Sequence, residues 1–181
     1  MVIMNILQVV GFKNCGKTTR IEKWVRFLSS RNLSVSVIKH HGHGGPLSMP
    51  SADTDSMKFL AQGSVSSIAV SDNMIQLHMQ PALELQSLIA LAEFAKPDFL
   101  LIEGFKEASQ AKVVIVRTKE EWELLRHLSH IVLVLAYAYA DVDIDQSGDV
   151  KVMRVDDDAG LQNWIVDYVE GDRSNEAIRD C

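Results

Sequence analysis

Eight consecutive residues, Gly11-Phe12-Lys13-Asn14-Cys15-Gly16-Lys17-Thr18, restrict the fold of this chain more than any other segment. They fit the pattern Gly, four residues, Gly, Lys, Ser/Thr. The apolar run Ile6-Leu7-Gln8-Val9-Val10 precedes them and a helical pattern follows. A strand feeding a glycine-rich turn and then a helix aims backbone N–H groups at a common centre. The helix adds unpaired N–H groups and the positive end of its dipole. In such a P-loop Lys17 would reach the outer phosphates, and the Thr18 hydroxyl would sit on Mg²⁺. The expected nucleotide-binding residues are Gly11, Lys13, Asn14, Cys15, Gly16, Lys17, Thr18 and Thr19. The competing reading is a glycine turn that only joins strand to helix. The full register and both flanks favour a nucleoside triphosphate site.

The remaining periodicities extend this into an α/β chain. Ile21, Trp24, Val25 and Leu28 fall on one helical face ending near Ser29-Ser30, and residues 34–39 read as a strand. Strand, loop, helix and strand make a βαβ unit, hence a parallel sheet with a right-handed crossover. The irregular stretch 40–52 has the length of a lid or binding loop. Asp53-Thr54-Asp55-Ser56 opens a helix over 57–62, with Gly63 as its stop. Residues 65–70 and 74–79 read as an antiparallel hairpin turning at Ser71-Asp72-Asn73, placed at a sheet edge where a second subunit can pair. Leu85, Leu88, Ile89 and Ala92 mark a helix. Residues 98–103, 113–116, 131–136 and 150–155 read as strands, with a helix over 120–125 and a last one carrying Leu161, Trp164, Ile165, Tyr168 and Val169. The expected architecture is a P-loop NTPase-type, mostly parallel sheet flanked by helices, with an inserted antiparallel β-hairpin. Residues 1–170 form a single nucleotide-binding domain in this reading, and 171–181 a frayed polar tail.

Charge and composition narrow the partners. Residues 141–181 carry twelve acidic and four basic side chains, so the chain's net charge of −6 divides into −8 there and +2 over residues 1–140. A nucleic-acid binder would show a clustered basic surface instead, so nucleic acid is not an expected partner. No apolar run is long enough to span a bilayer, and no signal-peptide pattern opens the chain. The two cysteines, Cys15 and Cys181, make no disulfide framework, and a reduced, cytoplasmic setting follows.

Glu103 ends the buried strand 98–103, on the ligand side of the sheet. There a carboxylate can hold Mg²⁺ directly or through water, position an attacking water, or cap the following turn. Asp98, at the opposite edge, reads as structural. Asp53 and Asp55 can serve as N-caps of the helix at Met57, or Asp55 can act as a Mg²⁺-associated switch residue. The expected catalytic residues are therefore Lys17, Glu103 and Asp55, and the metal-associated ones Thr18, Glu103 and Asp55. The run His40-His41-Gly42-His43-Gly44-Gly45 can touch phosphates or gate the site, form a passive loop, or bind a transition metal, although it lacks a second ligand cluster at zinc spacing. The acidic run from Asp141 fails the EF-hand test at Gln146 and Val152. Cys15, beside Lys17 near a helix N-terminus, is either a thiol of lowered pKa or a small residue that fits the loop. The Asn-Lys-x-Asp guanine signature is absent, and Thr118-Lys119-Glu120-Glu121 is a chance likeness of it. Asp141 is the candidate acceptor for a guanine edge.

The P-loop, Lys39-His40-His41-Gly42-His43-Gly44, Asp55-Ser56 and Ile102-Glu103-Gly104-Phe105-Lys106 together resemble the MobB family, the molybdopterin-guanine dinucleotide biosynthesis adapter proteins. The resemblance runs from about Asn5 to Val169. It implies a homodimeric GTP-binding protein with Mg²⁺ and weak GTPase activity. Such a protein assists the guanylyltransferase that joins GMP to molybdopterin and helps deliver the cofactor to molybdoenzymes. Related nucleotide switches carry a lysine just after the first P-loop glycine; here Phe12 holds that position and Lys13 follows. Two alternatives from other classes are a small-metabolite kinase, for which Arg117 and Arg126 are too scattered to form a lid, and a scaffold with a structural nucleotide.

Overall fold

The computed structural model describes residues 4–42, 45–138, 140 and 150–177, with side chains as far as Gly171. The chain divides into two compact units, Met1–His40 with Ile89–Cys181, and His41–Leu88. The first holds β1 (Asn5–Gly11), α1 (Lys17–Ser30) and β2 (Val35–Lys39) from its N-terminal part. The second unit holds α2 (Asp55–Ala61), β3 (Ser66–Val70) and β4 (Ile75–Met79), and α3 (Leu85–Glu93) runs across the boundary. The first unit is completed by β5 (Phe99–Glu103), β6 (Lys112–Val116), α4 (Lys119–Leu125), β7 (Ile131–Ala136), β8 (Lys151–Arg154) and α5 (Asp158–Ala177). The last helix thus continues past Gly171 to Ala177.

The first unit is a six-stranded sheet in the order β2-β5-β1-β6-β7-β8 with every neighbouring pair parallel. Both faces are covered, so its strands read as continuous apolar runs rather than alternating ones. Phe99, Leu100, Leu101 and Ile102 of β5 are all fully buried. Burying each such side chain is worth about 1.5–3 kcal/mol, enough to offset carrying a charged Glu103 to the strand's end. The two-residue side-chain period sorts the core. Leu7, Val9, Val113, Ile115, Leu133 and Leu135 pack with Trp24 and Leu28 of α1 and Leu161, Trp164 and Ile165 of α5. Val10, Val114, Val116 and Val134 pack on the other face with Trp122 and Leu125 of α4.

Between α1 and α5 the Trp24 and Trp164 rings stack at 6.0 Å, and the buried Arg20 donates to Val155 O at 2.6 Å and Asp158 Oδ1 at 3.0 Å. Asp98 acts structurally: its carboxylate accepts from Ser34 N and Oγ, tying the starts of β2 and β5.

In the second unit β3 and β4 pair antiparallel, from Ser66↔Met79 to Val70↔Ile75. They form a two-stranded sheet of their own, not an edge of the larger one as the sequence suggested. The physical reason is packing within the unit: β3 lies against α2, where Leu60 and Ser67 are buried. Neither Asp53 nor Asp55 caps α2. Thr54 holds the N-cap position, with its hydroxyl turned to Ser51 O at 2.9 Å, and Asp55 is the first helical residue.

Candidate functional site

β1 delivers the chain to the carboxyl edge of the sheet, where Gly11 (φ 152°) opens the turn and α1 begins at Lys17. Gly11 has no room for a side chain: a Cβ there would lie 2.5 Å from Cys15 Sγ and 2.6 Å from Ile115 O. Asn14 (φ 60°) and Gly16 (φ 89°) adopt left-handed backbone, which curls the loop back before the helix starts. Lys13, Asn14, Thr18 and Thr19 are exposed on this rim. The Lys17 ammonium arches over the loop and donates to Gly11 O at 3.1 Å and Phe12 O at 2.6 Å. Tyr137, just past β7, donates its hydroxyl to Cys15 O at 3.5 Å.

Cys15 is fully buried, and burial pushes its thiol pKa up despite the nearby Lys17. The small-residue reading therefore describes it, and the lowered-pKa reading is corrected: desolvation outweighs the ammonium.

The second element of the site is set by register. Parallel pairing puts Val9, Lys39 and Glu103 level with one another at the carboxyl ends of β1, β2 and β5. Glu103, only 7% exposed, accepts from the Thr18 hydroxyl at 2.9 Å. The Lys39 ammonium donates to Thr18 Oγ1 at 2.9 Å and lies 3.1 Å from Glu103 Oε2. Thr18 and Glu103, expected to share a metal, are thus brought together, with the Lys39 ammonium against both oxygens of their hydrogen bond. Among the described residues no cluster of three or more His, Cys, Asp or Glu side chains can hold a metal alone. Two hard oxygens suit Mg²⁺, which takes its remaining ligands from phosphate and water.

The turn after Glu103 is built to a fixed shape. Gly104 (φ 92°) and Phe105 (φ 51°) take left-handed backbone. The buried Gln8 amide donates to the carbonyls of both, at 2.6 and 2.5 Å. His40 donates its N–H to Glu103 O at 2.9 Å and stacks on Phe105 at 4.4 Å. Lys106 lies 5.8 Å over the Phe12 ring. Farther along, the buried Lys112 donates to Ala108 O and Gln110 O, and burial lowers its pKa.

Asp55 belongs to the second unit, where its side chain is 88% exposed and 3.6 Å from Lys58. Asp141, His43, Gly44 and Cys181 lie outside the described residues, as does most of the acidic run from Asp141. Thr118-Lys119-Glu120-Glu121 is a helix start: Thr118 Oγ1 accepts from Glu121 N at 3.2 Å. Arg117 forks onto the Glu121 carboxylate. Partial burial raises the Glu121 pKa, but the Arg117 hydrogen bonds outweigh it and hold the carboxyl below its usual range. Sequence reasoning missed Lys39, Gln8 and the His40–Phe105 stack. A lysine closing a parallel strand was the available signal for Lys39; nothing in the sequence marked Gln8 as more than a polar break in an apolar strand.

A parallel sheet whose central β1 runs through a glycine loop into α1, with a carboxylate closing the adjacent β5, defines a P-loop NTPase-type α/β protein. Three comparisons specify it. The MobB family model, described as Molybdopterin guanine dinucleotide synthesis protein B, matches residues 6–137. A Bacillus subtilis (strain 168) protein named "Probable molybdopterin-guanine dinucleotide biosynthesis adapter protein" is 38% identical over 167 residues, covering 92% of this chain and 94% of that protein. The crystal structure of a MobB protein homolog from Bacillus stearothermophilus superposes with a TM-score of 0.73 at 31% identity, covering 93% of this chain and 99% of that one. The chain belongs to the MobB family.

Proposed function

We propose that this chain is a GTP-binding adapter in the biosynthesis of molybdopterin guanine dinucleotide. Its P-loop holds Mg²⁺-GTP and hydrolyses it slowly. In the bound state it assists the guanylyltransferase that joins GMP to molybdopterin, and it helps pass the cofactor to molybdoenzymes in a reduced, cytoplasmic setting. The observation that carries this reading is the juxtaposition of Thr18 and Glu103, 2.9 Å apart, at the head of a P-loop helix in a MobB-family chain. Backbone N–H groups from Gly11 to Thr19 grip the phosphates, Lys17 swings to their outer oxygens, and Thr18 and Glu103 hold Mg²⁺. Held there by Thr18 and Glu103, Mg²⁺ would supply neutralising charge for the phosphate oxygens. Asp55, whose carboxylate is largely in solvent, is the proposed Mg²⁺-associated switch residue. Asp141 is the proposed guanine acceptor.

The protein acts as a homodimer in this reading. Ile68 and Val70 of β3 and Ile75 of β4 are 62–73% exposed and share one face of the hairpin with Leu77. A lone two-stranded sheet is marginal in water, and a second copy covering that face removes the apolar surface. The function is tested by measuring binding of the purified guanylyltransferase with GTP, GDP and ATP, in wild type and Lys17→Ala. GTP-dependent binding lost in the variant is expected. Binding indifferent to nucleotide would support a scaffold, and a phosphorylated small-molecule product would support a kinase.

A further inference from the structure

We propose that Lys39 is a built-in counter-ion that takes the place of Mg²⁺ between Thr18 and Glu103, and that its displacement sets the Mg²⁺ concentration at which nucleotide binds. The inference rests on the P-loop reading above and deepens it. Three observations carry it. The Lys39 ammonium contacts both oxygens assigned to the metal, Thr18 Oγ1 at 2.9 Å and Glu103 Oε2 at 3.1 Å. The Glu103 side chain is 9% exposed, and a carboxylate that buried is costly without a partner, which the Lys39 ammonium supplies. The Lys39 side chain is itself 52% exposed, so it can leave without unpacking the core.

Lys39 and Mg²⁺ cannot share the position. Mg²⁺ needs oxygen ligands at about 2.0–2.1 Å in near-octahedral geometry. An ammonium about 3 Å from the same oxygens meets it at close range with like charge. The site opens into a groove of about 430 Å³ that Thr18, Lys39 and Glu103 themselves line, which leaves room for the side chain to turn away from the two oxygens. Ile21, Val25 and Val37 give it an apolar wall for the lysine stem, and Glu22 and Arg26 line its rim, so the displaced ammonium meets one carboxylate and one cation on the solvent side. The exchange swaps a monovalent tethered cation for a divalent free one, which couples metal entry to movement at the end of β2. His40, the next residue, is stacked on Phe105, so the motion starts beside the turn that follows Glu103.

The test is calorimetric GTP binding across a Mg²⁺ series and in excess EDTA, for wild type, Lys39→Met and Lys39→Arg. Methionine keeps the stem without the charge. The expected result is a half-saturating Mg²⁺ concentration about 3- to 10-fold lower in Lys39→Met than in wild type. In EDTA the order reverses: wild type binds GTP more tightly, because Lys39→Met leaves Glu103 unneutralised beside the phosphates. Lys39→Arg keeps a cation and stays near wild type in both conditions. A merely structural lysine would not produce opposite signs with and without metal. An equal or higher Mg²⁺ requirement in Lys39→Met, with wild type binding normally, overturns the role of Lys39 and leaves the nucleotide site standing. No uptake by either protein overturns both.

Discussion

Replacing Gly104 by alanine should destabilise the first unit by about 2–5 kcal/mol. Two separable effects add. Gly104 has φ 92°, and left-handed backbone costs a residue with a Cβ about 1–2 kcal/mol. The new Cβ would also stand 2.9 Å from the Cβ of His40. That atom is fixed by the backbone and cannot rotate away, so the overlap must move β2 against the turn, at about 1–3 kcal/mol. The assay is urea unfolding followed by tryptophan fluorescence, since Trp24 and Trp164 lie in the core of this unit. With a slope of about 2 kcal/mol per molar, the midpoint should fall by about 1–2.5 M. His40→Gly by itself should cost about 1 kcal/mol or more, because it removes the stack on Phe105 and loosens the backbone. Combined with Gly104→Ala it should restore the steric part, giving a favourable coupling of about 1–3 kcal/mol. A cost below about 1 kcal/mol for Gly104→Ala, or additive behaviour of the pair, would refute the close approach of these strands.

Three further outcomes follow from the same geometry. Lys23 hydrogen bonding, then Arg20, holds the Asp158 carboxyl below the usual aspartate value of 3.8 despite slight burial. Its contribution is therefore present above pH 3.8 and lost as pH falls through the folded value; Asp158→Asn should cost about 1 kcal/mol at pH 7, discounted for a half-exposed carboxylate, and flatten the acid limb of a stability titration. Cys15 should alkylate at least about 100-fold more slowly in the native protein than after unfolding, read by peptide mass mapping, because its thiol is buried and its pKa raised. Ile68→Asp with Ile75→Asp should convert the protein to monomers in analytical ultracentrifugation while GTP binding persists, because both place like charge on the same hairpin face; a dimer that survives both charges would rule out that face.

The P-loop was legible because its chemistry is local: spacing, a preceding strand and a following helix all lie within a few residues. Glu103 was legible for a similar reason, as the one acid ending a fully apolar strand. Lys39 was not, because its partner lies across a strand pairing between β2 and β5 that chain order does not announce. The hairpin was found by its turn, yet its attachment was misjudged, since period-two patterning identifies strands but not the sheet they join. Capping failed at α2 because three consecutive polar residues competed for one position, and Thr54 took it over Asp53 and Asp55. At α4 the same four residues that shadow a base-recognition motif carry the Thr-x-x-Glu pattern of a capping box, and Thr118 does cap the helix. Lys112 opens a buried strand, an environment that sequence pattern assigns to apolar residues; the carbonyls of Ala108 and Gln110, brought back by the preceding turn, and the charge of Glu107 make it tolerable.

The most direct test of a triphosphate held by this loop is isothermal titration of the purified chain with GTP in the presence of Mg²⁺. The account predicts saturable uptake of one nucleotide per chain, reduced at least about 100-fold by Lys17→Ala and weakened when Mg²⁺ is chelated. Wild-type protein that takes up neither GTP nor ATP, with or without Mg²⁺, would contradict it.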